Sequence, residues 1–167
     1  MSYELRMMKA LLIILFLFLS ANTNAQTIKK IKITELEKTI KESKTPLIVN
    51  FWATFCIPCI EEIPYFQKLV KKHAKDSVKL LLVSLDLNED YNKIKPFAVK
   101  RKITAPIVWL NETDADYFCS KVDSSWSGSI PATLFINNKI GYRKFYEDQI
   151  KEEKLEKEIM AILGEKN

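Results

Sequence analysis

Cys56 and Cys59 stand with two residues between them in Cys56-Ile57-Pro58-Cys59. Two thiols at this spacing can make and break one disulfide, which is the chemistry of thiol-disulfide exchange. The same pair of residues also fits a buried structural disulfide or half of a soft-metal site. A cysteine-only zinc site needs four ligands, and the chain adds only Cys119 and a single histidine, His73.

The elements around the pair decide how reactive it is. Before it runs Leu47-Ile-Val-Asn-Phe-Trp52, apolar or aromatic at five of six positions, which predicts a buried strand. After it, Ile60, Ile63, Phe66, Leu69 and Val70 recur at spacings of three and four, which predicts a helix reaching about Lys75. The pair therefore sits where a strand hands over to a helix. Unpaired N–H groups and the macrodipole at a helix N-terminus favour negative charge, hence the thiolate, the reactive form of Cys56. Pro58 is tolerated in the first turn, and Pro64 inside the helix predicts a kink.

Farther along, Thr34-Glu-Leu-Glu37 fits a capping box that opens a short helix to about Ser43. Strands are expected over 78–85, 107–110, 132–136 and 140–146, with Asn137-Asn138-Lys139 turning the last two into a hairpin. Helices are expected over 91–102, entered or broken at Pro96, over 114–121, and around Leu155, Ile159, Ile162 and Leu163. Alternating strands and helices followed by a hairpin and a helix predict an α/β fold, a mixed central sheet with helices on both faces. Open sheets of this kind place their chemistry at strand ends that lead into helices.

Residues 1–25 run from a basic segment with Arg6 and Lys9, through the ten apolar residues 10–19, to small residues ending at Ala25. That layout predicts a secretory signal peptide, retained as an anchor if it is not cleaved, with one domain over 26–167. The apolar run is short for a membrane span, which needs about 20 residues. The net charge is +5, yet lysines alternate with acids along most of the chain and no basic block interleaves with aromatics. Solvated faces are expected rather than a nucleic-acid surface. Three cysteines in an exported chain exclude a disulfide-rich scaffold and leave redox chemistry for the pair.

These residues carry a family resemblance. Phe51-Trp52-Ala-Thr-Phe-Cys56-Ile-Pro58-Cys59 resembles the active site of thioredoxin-fold proteins, and Cys59-Ile-Glu-Glu62-Ile-Pro64 resembles the TlpA/ResA-like branch of exported thiol-disulfide oxidoreductases. Gly128-Ser-Ile130-Pro131-Ala-Thr133 resembles the cis-proline loop of that fold. The resemblance implies a thioredoxin-like sheet with extra strand and helix elements between the cysteine helix and the cis-proline loop. It implies that Cys56 is the nucleophile, that Cys59 resolves the mixed disulfide, and that the Ile130-Pro131 bond is cis and faces the cysteines. Trp52, Ile57, Pro58, Ile130 and Pro131 would then line the substrate site. Thioredoxin itself has an aspartate where Asn50 stands, and this branch instead has a glutamate three residues after the second cysteine, here Glu62. Such a carboxylate, partly buried, could take the proton of the resolving thiol.

The expected function is that of an extracytoplasmic thiol-disulfide oxidoreductase acting on protein thiols and disulfides. The resemblance favours work as a reductant fed by a membrane-bound electron donor, for example in cytochrome c maturation. No cofactor and no metal are expected, and membrane contact is expected only through a retained N-terminal segment. A second class of function stays open, a thioredoxin-fold binding module or copper(I) chaperone using the two thiols as ligands. A thiol peroxidase is a third option, although its pattern around a single cysteine is missing. Cys119 is expected to be a small, partly buried side chain, with Trp126 and Gly128 either shaping the loop before Pro131 or serving as surface aromatic and turn glycine.

Overall fold

Six consecutive buried residues, Leu47–Trp52, form β2 near the centre of the sheet. The computed structural model describes residues 28–165 and Tyr3, so the expected leader over 1–25 lies, Tyr3 apart, outside the described residues. Around β2 are β1 (Lys29–Ile31), β3 (Lys79–Ser84), β4 (Ile107–Leu110), β5 (Ala132–Asn137) and β6 (Tyr142–Tyr146), in the order β1-β4-β3-β2-β5-β6. The first four in that order run parallel, β5 runs antiparallel to β2, and β6 antiparallel to β5, giving the expected mixed sheet.

Helices cover both faces. On one lie α2 (Ile57–Lys72), α3 (Tyr91–Lys100) and α5 (Glu152–Ile162), which contribute Phe66, Ile94 and Ile159 to a core shared with Ile48 and Trp52 of β2. On the other lie α1 (Ile33–Lys41) and α4 (Ala115–Val122), where Leu36 and Val122 pack with Leu47, Val49 and Phe51. Successive side chains of a strand point to opposite faces, so Asn50 falls on the same side as Ile48 and Trp52, beneath α2. Each fully buried Leu, Ile or Phe contributes about 1.5–3 kcal/mol, which anchors α2 firmly to the strand that precedes it.

Several boundaries differ from the expectation. The three-residue β1, two of its residues exposed lysines, was not expected at all; it pairs only on one side, with β4. Helix α1 begins at Ile33 rather than after Thr34. Its first N–H groups are taken by carboxylates, Lys32 N–H by Glu35 at 3.2 Å and Ile33 N–H by Glu112 at 2.9 Å, so Glu35 does the work assigned to Glu37. Helix α2 passes through Pro64 unbroken and stops at Lys72, followed by a short 3-10 turn at Ala74–Asp76. Pro96 likewise lies inside α3 rather than at its start. The hairpin turn occupies 138–141, because Gly141 takes the left-handed conformation (φ 65°), and β6 starts at Tyr142.

Trp126 is buried, not a surface aromatic. Its ring packs against Phe51 at 4.5 Å between centroids and against Phe118 and Phe145 at 5.8 Å. Its indole N–H donates to the Ser129 carbonyl at 2.9 Å, tying the loop before Pro131 to the sheet. Replacing Trp126 with phenylalanine keeps the aromatic contact and deletes this bond. The expected loss is about 1–2 kcal/mol of unfolding free energy in a denaturant titration; an unchanged midpoint would mean that the loop is held from elsewhere.

Candidate active site

The chain leaves the C-terminal end of β2 at Trp52 and reaches Cys56 through a turn in which Cys56 N–H donates to the Ala53 carbonyl at 3.1 Å. Asp86, itself buried, braces that turn from the end of β3. Its carboxylate accepts Thr54 N–H at 3.0 and 3.2 Å and the Ser84 hydroxyl at 2.7 Å. Cys56 is the residue capping α2, in extended conformation, and its sulfur accepts the Cys59 N–H at 3.3 Å. The two cysteines form a disulfide with their Cα atoms 5.3 Å apart. Of the two, only Cys56 reaches solvent, at 7% exposure against 0% for Cys59. Phe55 and Ile57 on either side of it are 63% and 69% exposed, and Pro58 is exposed too.

Ile130-Pro131 is a cis peptide bond, as expected. Ala132 pairs with Phe51, so β5 begins, one residue after Pro131, beside the end of β2 that leads to Cys56. Ile130 is half-buried and Pro131 buried. Glu147 holds the approach to this loop. It accepts Ser127 N–H at 3.0 and 3.1 Å and Ser129 N–H at 2.8 Å, and these donors with the Ser127 hydroxyl keep its carboxyl below the usual range against the opposing effect of burial. Gly128 between them has φ 100°, a conformation side chains other than glycine rarely adopt.

Glu62 is wholly buried rather than partly so. Spaced three from Cys59, it shares the inward face of α2 with Ile63, Phe66 and Leu69, and its carboxylate therefore points at the sheet. One oxygen accepts Asn50 Nδ2 at 2.8 Å and the other accepts Ile150 N–H at 2.8 Å. Burial pushes its pKa up to about 7; the two hydrogen bonds pull it down and the charge of Asp148 pushes it further up. Asn50 also donates to Thr133 Oγ1 at 3.0 Å, while its own carbonyl oxygen has no partner among the described residues. The segment that carries Ile150 touches α2 again through Gln149, whose amide donates to the Pro58 carbonyl at 3.1 Å.

The structure thus brings together Cys56, Cys59, Ile57, Pro58, Ile130 and Pro131 at one end of the sheet. Trp52 is different: it is wholly buried, with its ring 6.0 Å from that of Phe97. It supports the strand end from within and has no surface to offer a substrate. Asp86, Glu147 and the bonding of Asn50 to Glu62 were missed, the first two because each joins residues far apart in sequence. Cys119 is buried, and burial together with Glu147 and Asp116 pushes its thiol up to about 11. Among the described residues no group of three or more His, Cys, Asp or Glu is placed to hold a metal, so a soft ion would meet the two sulfurs alone.

This geometry has relatives. The AhpC/TSA family matches residues 19–142. The chain is 41% identical over 63 residues to sporulation thiol-disulfide oxidoreductase A of Bacillus subtilis, covering 36% of this chain and 38% of that protein. It is 26% identical over 116 residues to thiol-disulfide oxidoreductase ResA of Geobacillus thermodenitrificans, covering 70% and 62%. The chain thus spans less than two thirds of the length of these curated relatives. Among solved structures, the fold resembles a thioredoxin-related protein from Neisseria meningitidis serogroup B, with a TM-score of 0.63, 25% identity, and 75% of this chain and 91% of that one covered. It also resembles StoA from Bacillus subtilis, with a TM-score of 0.54, 28% identity, and coverage of 72% and 86%.

Proposed function

The chain belongs to the AhpC/TSA family of thioredoxin-like proteins, and from that membership we propose that it is a thiol-disulfide oxidoreductase of the ResA/StoA kind, using the Cys56–Cys59 pair to reduce disulfides in protein substrates. The observation that carries the reading is the bonded pair at the head of α2, with one sulfur reaching solvent and a buried carboxyl on the same helix face.

In the reducing direction the Cys56 thiolate attacks one sulfur of a substrate disulfide. That S–S bond breaks, a mixed disulfide forms, and the departing substrate thiolate takes a proton. Cys59 then loses its proton, which Glu62 is suited to accept because its carboxyl titrates near neutral pH. The Cys59 thiolate attacks the Cys56 sulfur and releases the second substrate thiol. Two electrons have passed to the substrate and the pair is again a disulfide. Restoring the dithiol needs an electron donor, which we assign to a membrane protein, with the domain held outside the cytoplasm. The cis Ile130-Pro131 loop beside the pair, with Ile57 and Pro58, is suited to seat an extended peptide by short β-addition. Cysteines of an apocytochrome c are one such substrate.

The test is direct. The chain, reduced and in metal-free buffer, should reduce insulin disulfides, and the pair should titrate nearer the thioredoxin potential of about −270 mV than the value of about −120 mV that marks a strong oxidant. A potential near the second value would overturn the reductant direction. Failure to reduce insulin at any potential would overturn the enzyme.

A further inference from the structure

Lysines outnumber acids at one end of the sheet, where Glu42 and Asp76 are the exposed acids set among them. Strands β1 to β4 run parallel, and the redox pair follows the C-terminal end of β2, so their N-terminal ends gather at the opposite end of the sheet, about 20 Å away for a six-residue strand. Lys44, Lys79 and Lys102 lie there, just ahead of or at the start of β2, β3 and β4, and Lys139 joins them from the β5–β6 turn. The last turns of α1, α2 and α3 end at the same place and add Lys38, Lys41, Lys71, Lys72 and Lys100. Cations in a last helical turn are favoured by the macrodipole alone, but the four residues outside helices have no such reason to be basic. All nine are exposed. Of them only Lys72 has an ion-pair partner among the described residues, Glu156. At the redox end the exposed charges are mixed: Glu61, Glu89, Asp114 and Asp148 stand there with Lys32, Lys93 and Lys151.

Two apolar side chains stand out at the basic end. Val99, in the last turn of α3, is 72% exposed, and Ile140, in the β5–β6 turn, is 52% exposed. At the same end opens a cleft of about 910 Å³ walled by Leu47, Val70, Val78, Leu80 and Pro106, with Lys71 and Lys79 among its lining residues. Exposed apolar residues set among lysines are what an anionic bilayer surface binds, the charges drawing the protein to the headgroups and the apolar groups entering between them. The chain itself points the same way. Strand β1 starts at this end, and the apolar run 10–19 precedes it in sequence.

We propose that the basic end of the domain, marked by Val99, Ile140 and the lysine-rimmed cleft, is a docking surface for anionic phospholipid, and that it holds the redox pair facing away from the bilayer. The inference is independent of the redox reaction. Full-length chain is mixed with vesicles of phosphatidylglycerol and phosphatidylcholine, or of phosphatidylcholine alone, and sedimented. Any binding through the apolar run 10–19 is common to both kinds, so the result lies in the difference between them. Expected is binding at least about tenfold tighter to the anionic vesicles at low salt, a preference that high salt removes. The combined variant Lys71→Glu, Lys79→Glu, Lys102→Glu should lose that preference, and Val99→Asp with Ile140→Asp should weaken it. Folding of both is checked by circular dichroism rather than by activity, so a failed redox reaction leaves this test intact. Equal binding to both vesicles, or a preference that survives the charge reversal, overturns the proposal. So does salt-sensitive retention on DNA or an acidic protein without any on anionic vesicles.

Discussion

Serine in place of Cys56 is expected to lower insulin-disulfide reduction by about 10³-fold or more. A hydroxyl at this position is almost wholly protonated at neutral pH and does not attack sulfur, so the first bond of the exchange never forms. The remaining thiol cannot take over. Cys59 is fully enclosed, while Cys56 alone reaches solvent, so a folded substrate cannot bring its disulfide to Cys59. Alanine in place of Cys59 is expected to behave differently. Cys56 still sits at the head of α2 with its N–H donors intact, so the first attack proceeds and the mixed disulfide then accumulates, because nothing resolves it. Mass spectrometry should find the Cys59→Ala chain joined one-to-one to substrate after a single turnover. Rapid turnover by Cys56→Ser would remove the enzyme reading, and normal turnover by Cys59→Ala would remove the resolving role.

What the sequence disclosed was local. The run Leu47–Trp52 is legible because a central strand buried on both faces needs apolar residues at nearly every position, and only Asn50 breaks it. The cysteine helix is legible because its inward face repeats at helical spacing, and Ile130-Pro131 because the residues around it resemble a known loop. What stayed hidden depends on distance in sequence. Strand β1 is short, carries two exposed lysines and pairs on one side only, so it leaves no run of apolar residues to read. Glu147 lies 20 residues from Ser127, and Asp86 lies 32 residues from Thr54; nothing in either neighbourhood announces the partner. The basic end is hidden for the same reason. Its lysines come from segments far apart in sequence, and only the parallel order of the strands gathers them at one end.

Asn50 and Glu62, only 12 residues apart, carry the second large prediction. The sequence offered Glu62 as a carboxylate near Cys59 and Asn50 as a lost proton acceptor, but not that they bond to each other. With its pKa raised from the ordinary 4.5 to about 7 by burial, Glu62 is neutral in both folded and unfolded chains below about pH 4.5. Above pH 7 the folded chain must hold a buried carboxylate while the unfolded chain solvates it. The stability associated with the neutral form is therefore complete at low pH and is lost as pH rises through about 7, by about 3 kcal/mol. Glu62→Gln removes the charge and keeps the shape. Its amide can still accept Ile150 N–H, and Asn50 can turn its unpartnered carbonyl oxygen toward the new NH2 group. The variant should be more stable than the natural chain at about pH 8, by up to about 3 kcal/mol, and equal to it near pH 4.5. Its resolving step should be slower by about 10²-fold at neutral pH and should lose its inflection near 7, because the proton of Cys59 no longer has a nearby acceptor. Denaturant titrations and rapid-mixing rates across pH measure the two effects separately. A stability curve flattened as expected, with an unchanged rate profile, would leave Glu62 a buried charge of structural consequence only and send the Cys59 proton elsewhere.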